Sequence, residues 1–105
     1  MKRIISLIAF ILMLTVAELQ AQTVIKGNVT DTSGEPLFNV SVLVHNAGSN
    51  LIIAYGFSDI DGNYEISFNS LSDSLDIKTN SSFYEKITKR IANTSQTIDF
   101  VLKEE

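Results

Sequence analysis

Apolar and polar residues alternate two by two along most of the chain after residue 22. TVIKGNVT places Ile25, Gly27 and Val29 on one side and Lys26 and Asn28 on the other, the pattern of a half-buried strand. NVSVLVH resumes the alternation with Val40, Val42 and Val44 inward, and β-branched side chains at such positions favour the pleated state. LIIAYGFS is a longer apolar run bounded by turn residues, which predicts a strand covered on both faces. YEISF turns Tyr64, Ile66 and Phe68 inward, SLDIKT does so with Leu75 and Ile77, and TIDFVLK with Ile98, Phe100 and Leu102. FYEKITKRI alternates less cleanly but still reads as a strand, with Phe83 and Tyr84 on opposite faces. The spacing predicts about seven short strands and no helix in this region, the density of an antiparallel sandwich.

The first 21 residues follow a different rule. Met1-Lys2-Arg3 is basic, Ile4 to Ala17 is an uncharged apolar run, and AELQAQ offers the small Ala21 as a cleavage point. This order predicts a helical signal peptide over residues 1–21 and a mature domain over 22–105. A membrane anchor is the alternative, but the run is short against the roughly 20 residues a bilayer core demands. No second apolar span follows, so no transmembrane segment is expected after cleavage. The chain has no cysteine, which excludes a lipid-attached cysteine at the cut and any disulfide. Packing and strand pairing must therefore stabilise a single small domain.

Charge narrows the partners. Without the leader's Lys2, Arg3 and Glu18, the net charge moves from −4 to −5. An acidic chain lacking a basic cluster argues against nucleic acid, whose phosphates require lysine and arginine. Lys86, Lys89 and Arg90 read as a solvated strand face.

Two turns share a pattern, Asp31-Thr-Ser-Gly34 and Asp59-Ile-Asp-Gly62. An aspartate that opens a turn accepts hydrogen bonds from backbone N–H groups just ahead of it, and the glycine supplies positive φ. A calcium reading asks for more. Counted from Asp59, an EF-hand needs glycine at its sixth position and a carboxylate at its twelfth, where this chain has Tyr64 and Ser70. A different oxygen site, formed by Asp59, Asp61 and the Asn63 carbonyl, remains as the alternative to the plain turn.

These residues carry a resemblance. IKGNVTDTSGEPLFNVSVLV and SDIDGNYEI resemble the carboxypeptidase regulatory-like domain, on Ile25, Gly27, Val29, Asp31, Gly34, Pro36, Leu37, Val40, Val42, Asp59, Gly62 and Tyr64. The resemblance is close over residues 23–68 and implies a seven-stranded, Greek-key, transthyretin-like sandwich. The segment NSSFYEKI lacks the glycine that family members often carry there. Such domains often stand at the N-terminus of TonB-dependent outer-membrane receptors, directly after the signal peptide. The resemblance thus implies export to the periplasm, outer membrane or surface of a Gram-negative bacterium. It also implies a protein partner at the envelope, with the chain either a receptor N-terminus or a standalone relative.

On this reading the chain is not an enzyme and needs no cofactor. Its one histidine, His45, is expected at a partly exposed strand end, without the partners that a catalytic base or a zinc site would require. The aromatic residues Phe38, Tyr55, Phe57, Phe68, Phe83 and Tyr84 are mostly expected in the core. Tyr55, Phe83 and Tyr84 are singled out as ligand contacts for a rival reading, a carbohydrate-binding module.

Overall fold

The computed structural model describes residues 22–105, so the expected signal peptide over residues 1–21 lies outside the described residues. Eight strands run in chain order: β1 Thr23–Asp31, β2 Ser41–Asn46, β3 Ile52–Phe57, β4 Asn63–Phe68, β5 Ser74–Asn80, β6 Thr88–Ala92, β7 Gln96–Thr97 and β8 Phe100–Leu102. They form two sheets. In one, β1 lies between β4 and a line made of β7 and β8; in the other the order is β3-β2-β5-β6. Among the described residues no helix is long and apolar enough to cross a membrane.

The core is what the alternation predicted along β1, β2, β4 and β5. Ile25, Val29, Tyr64, Ile66, Phe68, Ile98, Phe100 and Leu102 from one sheet meet Val42, Val44, Leu75 and Ile77 from the other in one buried cluster. Each of these side chains removed from water contributes roughly 1.5–3 kcal/mol to holding the sheets together.

Four expectations need correction. The stretch TIDFVLK is broken at Ile98-Asp99 into β7 and β8, which makes eight strands rather than seven. Both halves run parallel to β1, so that sheet is mixed rather than antiparallel, whereas the β3-β2-β5-β6 sheet is antiparallel throughout. The register does not slip across the break: Lys26 faces Thr97 and Val29 faces Phe100. The second correction concerns β3, expected to be covered on both faces. Ile52, Tyr55 and Phe57 are each more than half exposed, and only the small Ala54 and Gly56 turn towards the core. The cause is close packing against β4. A Cβ on Gly56 would lie 2.9 Å from Ile66 Cγ1, so no larger side chain fits on that face.

Third, Phe83 and Tyr84 sit on no strand. They lie in the connection between β5 and β6, where Phe83 holds a left-handed φ of 74°, and Phe38 too is exposed rather than buried. Fourth, His45 is buried instead of partly exposed.

The break between β7 and β8 has a specific geometry. Gly27 and Tyr64 are cross-strand partners on β1 and β4. A Cβ on Gly27 would lie 1.8 Å from the Ile98 carbonyl oxygen, so only glycine lets that carbonyl approach. The Tyr64 hydroxyl donates to the same oxygen at 2.5 Å, and the Ile98 N–H donates to the Lys26 carbonyl at 2.8 Å. The Asn28 N–H, which has lost its ladder partner, donates instead to the Asp99 carboxylate at 2.9 Å. Burial, and then the charge of Asp99, push the Tyr64 hydroxyl pKa far above its ordinary value, so Tyr64 stays a donor at any physiological pH.

The second sheet is braced by charge. Arg90 on β6 donates Nε and Nη2 to both oxygens of Asp76 on β5, at 2.8 and 3.1 Å, and the Gly48 N–H donates to the same carboxylate at 3.0 Å. The Arg90 bonds, followed by the Gly48 bond, hold the Asp76 carboxyl well below the usual carboxylate range.

Replacing Gly27 with alanine is expected to cost 3 kcal/mol or more, about the upper end for overpacking, because the clash is with backbone. Tyr64→Phe should cost about 1–3 kcal/mol by leaving the Ile98 carbonyl without its donor. Denaturant unfolding of both variants checks this, and a Gly27→Ala protein as stable as its parent would refute the account of the break.

Candidate functional site

Asp59 opens the turn between β3 and β4. Its Oδ1 accepts from the N–H of Asp61 and of Asn63, both at 2.9 Å. Asp31 repeats the arrangement with Ser33 and Glu35, at 2.8 and 3.0 Å. Both turns close with a backbone bond from the glycine N–H back to the aspartate carbonyl, and Gly34 and Gly62 have φ of 87° and 81°. The first turn grows out of the end of β1 and is bonded back to it by the Asp31 and Leu37 N–H groups, and the second is fastened to the same strand from across the sheet. The Asn28 amide donates to the Asp61 carbonyl and to the Asn63 side-chain oxygen, while the Val29 N–H donates to the Gly62 carbonyl. A Cβ on Gly62 would meet the Val29 carbonyl at 2.5 Å.

Two of the three calcium candidates, Asp59 and Asn63, line a hollow of about 600 Å³ that opens on the outer face of the β1 sheet. Lys26, Asn28, Glu65, Thr97 and Asp99 surround it, with Phe57 at the side. Asp61 is not part of that lining. Among the described residues no three His, Cys, Asp or Glu side chains come together as a metal-binding group.

The aromatic candidates divide between two places. Tyr55 stands on β3 with its ring edge-on to Phe57, 5.9 Å between centroids, beside a groove of about 570 Å³ with Ile52, Ile53 and Ile66. Phe83 and Tyr84 instead line a hollow of about 480 Å³ with Phe38, Asn39, Ser41 and Asn80. Phe83 is 81% exposed, whereas Tyr84 is half-buried against the core. Backbone bonds from Glu105 to Phe83 and from Glu85 to Lys103 tie this corner to the chain's last residues. Sequence reasoning missed Phe38 and Phe57 as surface aromatics. The turn DTSGEP before Phe38 was a usable signal, since alternation need not extend out of a turn.

No protein-family model matches the chain, and no curated protein matches it significantly. Solved structures do. Chlorocatechol 1,2-dioxygenase from Pseudomonas putida superposes with a TM-score of 0.61 at 14% identity, over 83% of this chain and 63% of its own. A hydroxyquinol 1,2-dioxygenase from the same species gives 0.61 at 12%, over 83% of this chain and 58% of its own. Acinetobacter radioresistens catechol 1,2-dioxygenase gives 0.62 at 13%, over 85% and 54%. The chain therefore spans less than two thirds of the length of these structures. The expectation that it is not an enzyme is overturned by this finding, because the architecture it shares is one that dioxygenases use. At such identities the likeness reaches the fold and carries no residue role across.

Asp59→Ala is expected to lower stability by about 1–2 kcal/mol, the value of two backbone bonds to an exposed carboxylate. Calcium should leave the melting temperature of the parent unchanged. A calcium-dependent rise that Asp59→Ala abolishes would instead place an ion at this turn.

Proposed function

We propose that this chain is an exported module of the carboxypeptidase regulatory-like type, a Greek-key, transthyretin-like sandwich that works by holding a protein partner at the cell envelope. The observation that carries the reading is the outer surface of β3. Leu51, Ile52, Tyr55 and Phe57 are all more than half exposed there, and Ile53 adds to the same apolar strip. A contiguous apolar patch of this kind marks interaction surfaces in soluble domains. It also lies on a strand at the end of its sheet, where a partner's strand or loop can add.

Other features support the same reading. The contact between Gly27 and Tyr64 joins two positions of the resembled motif, and the crossing from β3 to β4 carries the chain from one sheet to the other, as in Greek-key sandwiches. The basic start and apolar run of residues 1–21 support export to the periplasm, outer membrane or surface of a Gram-negative bacterium. There the module serves as the N-terminal domain of an outer-membrane receptor or as a standalone relative.

A photo-crosslinking residue at Tyr55, introduced in the native cells, should give a discrete protein adduct, while one at Thr88 on the other edge should not. Tyr55→Ser with Phe57→Ser should remove the adduct and change stability by only about 0.5 kcal/mol, as for other exposed positions. Equal crosslinking at both positions, or none at Tyr55, would overturn the partner reading.

A second reading, a carbohydrate-binding module, is favoured by one observation. Phe38, Phe83 and Tyr84 share a hollow with the amides of Asn39 and Asn80, and a bulky residue in left-handed backbone is a strained feature of the kind found at ligand clamps. Affinity electrophoresis against soluble glycans tests it. Phe83→Ala with Tyr84→Ala should weaken binding about tenfold or more, the scale of lost aromatic anchors. No retardation by any glycan, or retardation that survives both changes, rules it out.

A further inference from the structure

His45 on β2 is 5% exposed, and neither ring nitrogen has a hydrogen-bond partner among the described residues. Buried side-chain polar atoms nearly always find a partner, so an imidazole with two unpaired nitrogens points to a group from outside the chain. His45 is one of the residues around a hollow of about 370 Å³ on the outer face of the β3-β2-β5-β6 sheet. Lys78, Thr79, Asn80, Lys86, Thr88 and Leu43 complete the wall.

Sheet register explains why these residues meet. Leu43 faces Lys78, and Lys78 faces Thr88, in one row across β2, β5 and β6. His45 is two residues along β2 from Leu43, on the same face, which sets it diagonal to Lys78 within reach of a long side chain. Directly opposite His45 is Asp76, but its carboxylate is already taken by Arg90 and the Gly48 N–H. Neither Lys78 nor Lys86 has an ion-pair partner among the described residues. In a chain of net negative charge, the hollow thus gathers two ammonium groups free of contact ion pairs, hydroxyl and amide donors and an unpaired imidazole.

We propose that His45, Lys78 and Lys86 form a binding site for a small oxyanion, a phosphate or carboxylate group. The oxyanion would accept from a ring N–H of His45 and from the two ammonium groups, charge-assisted bonds that are the strongest available to it. Thr88 and Asn80 can supply the remaining donors. The site adjoins the β3 strip, since Leu43 and His45 face Tyr55 and Ile52 across the β2–β3 pair, but Lys78 and Lys86 lie outside that strip, so their variants test the site apart from it.

The test is titration of the isotope-labelled full chain with inorganic phosphate and, separately, with acetate at constant ionic strength. The readouts are the His45 ring nitrogens and the backbone amides of Lys78 and Thr88. Saturable shifts with either probe are expected, and the probe that binds tighter tells a phosphoryl ligand from a carboxylate one. Lys78→Met and Lys86→Met should each weaken binding about tenfold, the scale of one charge-assisted hydrogen bond. His45→Leu should abolish it while melting at or above the parent temperature, because an unpaired buried ring contributes nothing to stability without its ligand. Ring signals that neither probe moves would overturn the proposal. An unchanged response in the double lysine variant would do the same, whether or not His45→Leu folds.

Discussion

The approach of the Ile98 carbonyl to Gly27, under the Tyr64 hydroxyl, is the constraint on which the rest of the first sheet depends. It joins three strands that are far apart in sequence, and each partner is specific. Any side chain at position 27 would displace the carbonyl. Without the phenol, a carbonyl turned out of the ladder would be buried with no donor. Asp99 completes the arrangement by accepting from Asn28, so the broken line of β7 and β8 leaves no β1 amide unpaired at the break. The glycine and tyrosine of the motif are therefore two halves of one contact.

A second close approach shapes the surface. Because Gly56 presses against Ile66, β3 cannot offer large side chains to the core, and its apolar residues are turned outwards. The exposed strip that supports a partner-binding role is thus a consequence of how tightly the two sheets meet at this corner. The opposite side is tied by polar contacts instead. Lys89 on β6 donates to the Asp99 carbonyl at 2.7 Å and lies 4.9 Å from the centre of the Phe100 ring.

The structural neighbours change what the fold can be taken to mean. A small sandwich with one histidine and no cysteine reads from sequence as free of chemistry, yet the same architecture serves catechol and hydroxyquinol dioxygenases. Function on such a scaffold resides in sites placed on it, not in the strand arrangement. On this chain the places with unusual physical character are the outward face of β3, the corner at Phe83 and the hollow at His45.

The sequence alone determined what depends on near neighbours. Period-two alternation named the buried positions of β1, β2, β4 and β5. The Asp-x-x-Gly spacing announced both turns, because their hydrogen bonds span only two to four residues. Tertiary structure decided what depends on distant strands. Whether an apolar run such as residues 51–58 faces core or solvent is set by the neighbour pressed against it, and Ile66 is not legible from those residues. The parallel pairing of β1 with β7 and β8 joins positions 71 residues apart, a separation on which no local pattern bears. His45 looked like an ordinary strand end for the same reason: Lys78 is set beside it by the lateral register of three strands, and Lys86 by the connection from β5 to β6.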